Sequence, residues 1–433
     1  MAHNVIISKP DKTVNTTIQL TGSKSECNRA LVIQALSKGV VKVQNISDAA
    51  DTVTLAGILS EPKFSGFQNT ENEKALPSVE GLGGALSEIN VGPAGTAMRF
   101  LTAYLTLQPG EFLLTGSERM KQRPIGILVD ALRKLGAKII YAGVDGYPPL
   151  QISGGFEQQT NRISIKGDIS SQYITALLLI ASQLQQGLQL EIEGELTSRP
   201  YVEMTLSMLQ QAGIQHTWED NVIAIENQPF TDASIWVEPD WSAASYWYSI
   251  AALSDEAELF LPGLASYSLQ GDSVLTEIMA NFGITSQFKD GGVYLKKKPK
   301  PTVRKIFDLK SCPDLAQTII VVCAALGHEA TFTGLETLKI KETDRIAALQ
   351  NELGKMGVKL IEKGQVYKLD LSEKFIPQKI AVKTYEDHRM AMAFAPLACI
   401  IPQVEIEDYR VVEKSYPAFY NDLEKAGFAI QEV

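Results

Sequence analysis

The chain has 433 residues, of which 45% are hydrophobic, 21% charged and 8% aromatic; that is more than one hydrophobic core usually serves, and it excludes intrinsic disorder. Against 40 Lys and Arg stand 50 Asp and Glu, giving a net charge of −10 whose field repels nucleic acid and anionic membranes over most of the surface. The longest apolar stretches, 315–327 and 390–402, fall short of the roughly 20 residues that cross a bilayer, and MAHNVIISKP has neither a signal nor a transit pattern, so a cytoplasmic location is expected.

Taken in chain order, the predicted elements repeat. Helices open at GSKSECNRALVIQAL (22–36), GPAGTAMRFLTAYL (92–105), ISSQYITALLLIA (169–181), WSAASYWYSIAAL (241–253), PDLAQTIIVVCAAL (313–326) and DHRMAMAFAPLACI (387–400). With Lys24, Gly95, Ser171, Ser242, Asp314 and His388 as markers, the gaps are 71, 76, 71, 72 and 74 residues. Each helix leads to a strand of alternating or β-branched residues: VVKVQNI, EFLLTG, LQLEIEG, AELFLPG, ATFTG and VEIED. A second helix follows and stops at a glycine, the residue that best tolerates the left-handed backbone after a helix end; these are Gly136, Gly213, Gly283, Gly357 and Gly427, with Gly66 a weaker first member. Both series give an α/β chain of six units of about 72 residues, each ordered strand, helix, strand, helix, strand, strand.

The polar residues of interest sit in the loops before these helices, where unpaired backbone N–H groups and the helix dipole favour anions. Lys24, Ser25 and Arg29 occupy the mouth of the first helix, in a loop without the Walker A spacing; on a surface helix they would simply be solvated. Arg119, Lys121 and Arg123 alternate before Pro124, which in an extended loop aims all three one way. Ser170, Ser171 and Gln172 offer neutral donors, or only a helix cap. In LKIKETDRIAAL, Lys339, Lys341, Glu342, Asp344 and Arg345 crowd together, with Thr343 placed to cap the next helix. Asp387, His388 and Arg389 precede a Met/Ala-rich helix that should be buried, Lys414 lies in EKSYPAF, and Asp314 is a pocket carboxylate or the cap of its own helix. Seven cations (Lys24, Arg29, Arg123, Lys341, Arg345, Arg389, Lys414) around two carboxylates (Asp314, Glu342) suit small phosphate- or carboxylate-bearing molecules and a proton transfer. Cys27, Cys312, Cys323 and Cys399 form no CxxC pair and read as reduced, mostly buried thiols.

In this order, GSKSECNRA, GPAGTAMRF, RMKQRPIG, GDISSQY, SRPY, QGD, PDLAQT, KETDR and DHRMAMAFA closely resemble the 5-enolpyruvylshikimate-3-phosphate synthase family, from about Thr21 to Pro417. The resemblance implies transfer of the enolpyruvyl group of phosphoenolpyruvate to the 5-hydroxyl of shikimate 3-phosphate, on the way to chorismate. It implies no cofactor and no metal; a monomer is expected, and the acidic charge and short apolar runs already argue against nucleic acid and membrane as partners. The implied fold is a two-globule inside-out α/β barrel with three repeats per globule, residues 23–239 in one and 1–22 plus 240–433 in the other. Carried over by position, the phosphoenolpyruvate site is Lys24, Gly95, Arg123, Gln172, Arg345, Arg389 and Lys414. Shikimate 3-phosphate falls to Lys24, Ser25, Arg29, Ser170, Ser171, Gln172, Ser198, Tyr201, Asp314 and Lys341; Thr96 and His388 support. Lys24, Asp314 and Glu342 are the implied catalytic residues. The chain departs from the family pattern at Pro93 and Thr337, where Asn is common, and at Phe100, where many members have Pro.

The chemistry calls for one proton accepted from the 5-hydroxyl, assigned to Asp314, and one exchanged with the methylene carbon, assigned to Glu342 with Lys24. A lysine among cations is expected to have a lowered pKa, and a carboxylate shielded from water a raised one. The sister enolpyruvyl transferase acting on UDP-N-acetylglucosamine typically uses a loop cysteine, and no cysteine lies between Arg119 and Arg123 here. A non-catalytic binder of phosphorylated metabolites gains nothing from two carboxylates.

Overall fold

The computed structural model describes residues 3–61, 86–168, 170–298 and 304–433. Among them the strands form five four-stranded sheets and one two-stranded sheet, and the larger sheets share one order. In the second repeat, Ser87–Asn90 lies parallel to Glu111–Thr115, which pairs antiparallel with Leu150–Ser153, and that strand with Lys138–Tyr141. The helix Gly95–Thr106 makes the crossover between the parallel pair, and Gly126–Leu135 leads from the second strand to the third. Strands of the third repeat (Arg162–Lys166, Leu188–Glu193, Val222–Ile225, Thr217–Glu219) and the fifth (Ile306–Asp308, Thr331–Thr333, Val366–Asp370, Lys359–Lys363) follow the same scheme.

Three strands leave their place in the sequence. Thr13–Thr17, which precedes the first helix, lies parallel to Glu256–Pro262 in the fourth repeat's sheet. Ala233–Trp236, which precedes the fourth helix, lies parallel to Val41–Gln44 of the first repeat. Asn4–Ser8 sits between Gln403–Glu407 and Ala429–Glu432, completing the last sheet. The chain accordingly divides into two compact units, Met1–Lys24 with Ser47–Ala50 and Glu238–Val433, and Ser25–Ile46 with Asp51–Val237.

The helices lie inside and the sheets outside within each unit, as composition requires. Gly95–Thr106, Ser171–Ala181 and Trp241–Leu253 are apolar on every side and buried except for one residue each, Thr96, Gln172 and Ser242, all in the first turn. His388–Phe394 is buried throughout. Strands instead alternate between buried and more exposed positions, as in Arg162–Lys166. The terminal glycines Gly136, Gly213, Gly283, Gly357 and Gly427 all have positive φ, from 70° to 115°. At Gly136 a side chain is doubly barred, since a Cβ would also meet the Glu157 carbonyl oxygen at 2.4 Å. Gly66 lies outside the described residues. All four cysteines are buried, and no helix among the described residues is long and apolar enough to cross a membrane.

Candidate active site

In the unit formed mainly by Glu238–Val433, three helix N-termini are tied by charge. Asp314 lies in the 3-10 turn Pro313–Leu315, where its carboxylate accepts from Arg345 Nη1 at 3.1 Å and from Arg389 Nη2 at 2.8 Å, with Lys341 Nζ 3.9 Å away. Its side chain therefore serves the cluster; it is not the cap of its helix. Arg345, only 1% exposed, also donates to Glu342 Oε2 at 2.9 Å and, through Nε, to the fully buried Asp387 Oδ2 at 2.7 Å. Glu342 Oε1 in turn lies 3.4 Å from Lys414 Nζ. Lys24, counted with this unit, donates its backbone N–H to Asp240 Oδ2 at 3.1 Å. Asp314, Lys341, Glu342, Arg345, Arg389 and Lys414, spread over a hundred residues of sequence, are thus one connected cluster.

Burial acts to raise Asp314, yet Arg389, Lys341 and Arg345 together hold its carboxyl well below the usual carboxylate range. That corrects the expectation of a raised carboxylate: a group shielded from water but touching two guanidiniums stays ionised. Burial lowers Lys341, with Arg345 adding to the shift and Asp314 opposing it. His388, next to Asp387, is buried, with neither ring nitrogen hydrogen-bonded among the described residues; burial first, then Lys24, Arg389 and Lys414, push it well below its ordinary value and keep it neutral.

Two further corrections concern this segment. The helix Arg345–Gly354 is capped by Asp344, whose carboxylate accepts from the Ile346 and Ala347 N–H groups; a carboxylate at that position outcompetes the expected Thr343. Lys339 stands apart from the cluster, paired with Glu362 at 2.7 Å on an exposed face.

The other unit, formed by Ser25–Ile46 and Asp51–Val237, gathers its own helix ends. Arg29, 2% exposed, donates from Nε to Thr205 Oγ1 at 2.9 Å, from Nη1 to the Ser25 carbonyl at 2.7 Å, and from Nη2 to Thr175 Oγ1 and the Tyr201 carbonyl, each at 3.3 Å. These are neutral oxygens, so burial alone pulls its guanidinium down to about 10 against the opposing pull of Tyr201 and Glu26. Phe100 and Tyr201 flank it, with ring centroids 5.6 and 5.7 Å away, so the Phe100 departure supplies a cation–π face. Ser170 caps Ser171–Ala181 by accepting from the Gln172 N–H, while Gln172 Nε2 donates to Thr96 Oγ1 at 3.2 Å. Ser198, in the left-handed region at φ 55°, precedes the helix Arg199–Gln211 that carries Tyr201.

Arg123 is buried against Gly95: a Cβ there would meet Arg123 Nη1 at 2.5 Å. Its expected alignment with Arg119 and Lys121 is corrected. Met120–Gln122 is a 3-10 turn, whose three residues per turn send alternate side chains apart; Arg119 is exposed and Lys121 pairs with Glu118 at 2.8 Å. Sequence reasoning also passed over Arg99, which donates to the Gly95 carbonyl at 3.1 Å and the Pro124 carbonyl at 3.2 Å and so ties the helix start to the turn that carries Arg123. It missed the part played by Asp387 as well: a fully buried arginine such as Arg345 needs more than one carboxylate, but neither its burial nor its pairing with Asp387 leaves a mark in the sequence.

The sequence profile of the family described as EPSP synthase (3-phosphoshikimate 1-carboxyvinyltransferase) matches residues 8–423. The chain belongs to the EPSP synthase family. A 3-phosphoshikimate 1-carboxyvinyltransferase of Bacteroides fragilis is 46% identical over 428 residues, covering 98% of each chain. One from Pectobacterium carotovorum is 35% identical over 424 residues, covering 96% of this chain and 97% of its own. A solved structure of an EPSP synthase from Acinetobacter baumannii shares the fold with a TM-score of 0.73 at 19% identity, covering 99% of this chain and 100% of its own. The fold is the two-domain inside-out α/β barrel of the EPSP synthases.

Proposed function

We propose that this EPSP synthase family member transfers the enolpyruvyl (1-carboxyvinyl) group of phosphoenolpyruvate to the 5-hydroxyl of shikimate 3-phosphate and releases phosphate. The observation that carries the mechanism is the cluster in which Asp314 and Glu342 are held by Arg345, Arg389, Lys341 and Lys414. Cations alone would bind anions; two carboxylates among them add proton transfer. The phosphoenolpyruvate set is Lys24, Gly95, Arg123, Gln172, Arg345, Arg389 and Lys414. The shikimate 3-phosphate set is Lys24, Ser25, Arg29, Ser170, Ser171, Gln172, Ser198, Tyr201, Asp314 and Lys341, with Thr96 and His388 in support. The protein works in the cytoplasm as a monomer.

In the first step the 5-hydroxyl oxygen attacks C2 of phosphoenolpyruvate, its proton passes to Asp314, and the methylene carbon gains a proton from Glu342 or Lys24. In the second, the resulting methyl group returns a proton to Glu342 or Lys24 as the C2–O bond to phosphate breaks, and the departing phosphate takes up the proton held by Asp314. Asp314 is a poor base while Arg345 and Arg389 both donate to it. Anionic phosphate and carboxylate groups compete for those arginines, so substrate binding itself raises Asp314 towards working pH. Phosphate release with phosphoenolpyruvate plus shikimate 3-phosphate, compared with phosphoenolpyruvate plus UDP-N-acetylglucosamine, tests the proposal. Release with the first pair alone supports it; release only with the nucleotide sugar, or with neither, rejects it.

A further inference from the structure

Beside the ion-pair cluster lies a buried carboxyl with no part in the steps above. Asp272, in the 3-10 turn Gly271–Val274, is 3% exposed. Its Oδ2 accepts from the Ser242 hydroxyl, and its Oδ1 has no hydrogen-bond partner among the described residues. Ser242 is the one residue of the Trp241–Leu253 helix that is not buried. Its oxygen accepts from Arg389 Nη2 at 3.4 Å, the same nitrogen that donates to Asp314 Oδ2 at 2.8 Å. Arg389 Nη1 also donates to Tyr246 Oη at 3.4 Å. A serine hydroxyl has a single proton that rotates to suit its surroundings. With that proton held by Asp272, the lone pairs of Ser242 face the guanidinium; without Asp272 the O–H is free to turn towards Arg389, where it opposes the N–H.

We infer that Asp272 is a positioning residue for Arg389: through Ser242 it fixes one edge of the guanidinium, most of all when a substrate anion takes the place of Asp314. This rests on the proposed role of Arg389 in binding phosphoenolpyruvate. Among the described residues, the charged and titratable groups around Asp272 are Asp240, which caps the helix that carries Ser242, Cys312 and Asp314 at the start of a second helix, and Arg389 in a third. Burial first, and Asp314 after it, push the Asp272 carboxyl up to about 7 against the pull of Arg389 and Ser242. An acceptor oxygen faces Ser242 whether or not the group carries a proton, so the role needs the oxygen and not the charge, and Asn can fill it.

The test compares Asp272→Ala, Asp272→Asn, Ser242→Ala and the Asp272→Ala/Ser242→Ala pair with the parent enzyme. Both substrates are varied in the phosphate-release assay, and the Arg389 side-chain N–H signal is followed by nitrogen-15 NMR, assigned by its loss in Arg389→Lys. The alanine variants should raise KM for phosphoenolpyruvate about tenfold, the effect of one lost hydrogen bond to a charged group, leave KM for shikimate 3-phosphate within about twofold, and shift or broaden the Arg389 signal. The pair should be no worse than either single variant, and Asp272→Asn should keep parent values. An unchanged KM for phosphoenolpyruvate, a parallel rise of both KM values with a fall in melting temperature, or additive effects in the pair would each overturn the inference. Should the parent turn over neither substrate, the proposed transfer fails while the NMR signal still decides: an unmoved Arg389 in the alanine variants rejects the positioning role. If Asp272→Ala does not fold, Ser242→Ala and Asp272→Asn decide between the same outcomes.

Discussion

Arg345 shows how single residues are balanced here. A fully buried guanidinium is costly alone, and three carboxylates, Asp387, Glu342 and Asp314, outweigh burial and keep it charged. The arrangement leaves Asp314 ionised and aimed at cations, the state from which the proposed base begins. Asp314→Ala should therefore lower kcat by roughly 10²–10⁴-fold, the usual worth of a general base, with the fold intact by circular dichroism; phosphate-release kinetics with near-normal turnover would reject Asp314 as the base. Asp272 has the opposite sign. Its folded value, about 7, lies above that of an unfolded Asp near 3.9, so its contribution to stability is complete below about pH 4 and is lost as pH rises to about 7. Melting curves should show the Asp272→Asn protein gaining on the parent over that interval and holding a constant lead above it. A difference independent of pH would mean the carboxyl does not titrate there. At this scale the sequence was legible where residue type alone decides, as with the cations before helices. It was silent where the decision lies 42 residues away, as for Arg345 and Asp387.

Among the elements, the helices that begin at the site are held by their first turns. Asp344 accepts from two backbone N–H groups at the start of Arg345–Gly354. Asp344→Ala should thus cost about 1 kcal/mol, visible as a lower urea midpoint with unchanged slope, and it should weaken phosphoenolpyruvate binding because Arg345 is the first residue of that helix. A midpoint equal to the parent's would show that the cap is dispensable. The periodicity of apolar runs and their closing glycines exposed these helices in the sequence, because a helix buried on all sides leaves an unmistakable apolar block. The 3-10 turn Met120–Gln122 left no such mark. Three residues are too few for a period, and an alternating Arg-x-Lys-x-Arg run reads equally well as extended chain.

For the whole molecule, the repeat was visible from spacing alone, whereas the exchange of strands between repeats was not. Thr13–Thr17 and Ala233–Trp236 both look like ordinary first strands, and pairing depends on where the chain travels. A consequence is that the N-terminal segment belongs, structurally, to the far end of the chain. Removing residues 1–20 takes a strand from each of two sheets completed by residues beyond 250 and leaves every described sheet of the Ser25–Val237 portion intact. Limited proteolysis of the truncated protein should accordingly cut first within 240–433, with a fragment near 25–237 surviving; equal loss of both portions would contradict the division.

The placement of Asn4–Ser8 between Gln403–Glu407 and Ala429–Glu432 also sets a clock on biosynthesis. Made first, this strand has no partners until nearly four hundred further residues exist, and at roughly 5–20 residues per second a ribosome needs on the order of 20–80 s to supply them. For that interval its unpaired backbone edge is open to other chains. The second, third and fifth repeats, whose sheets draw only on their own strands, all translated in the meantime, can close before this first strand has partners.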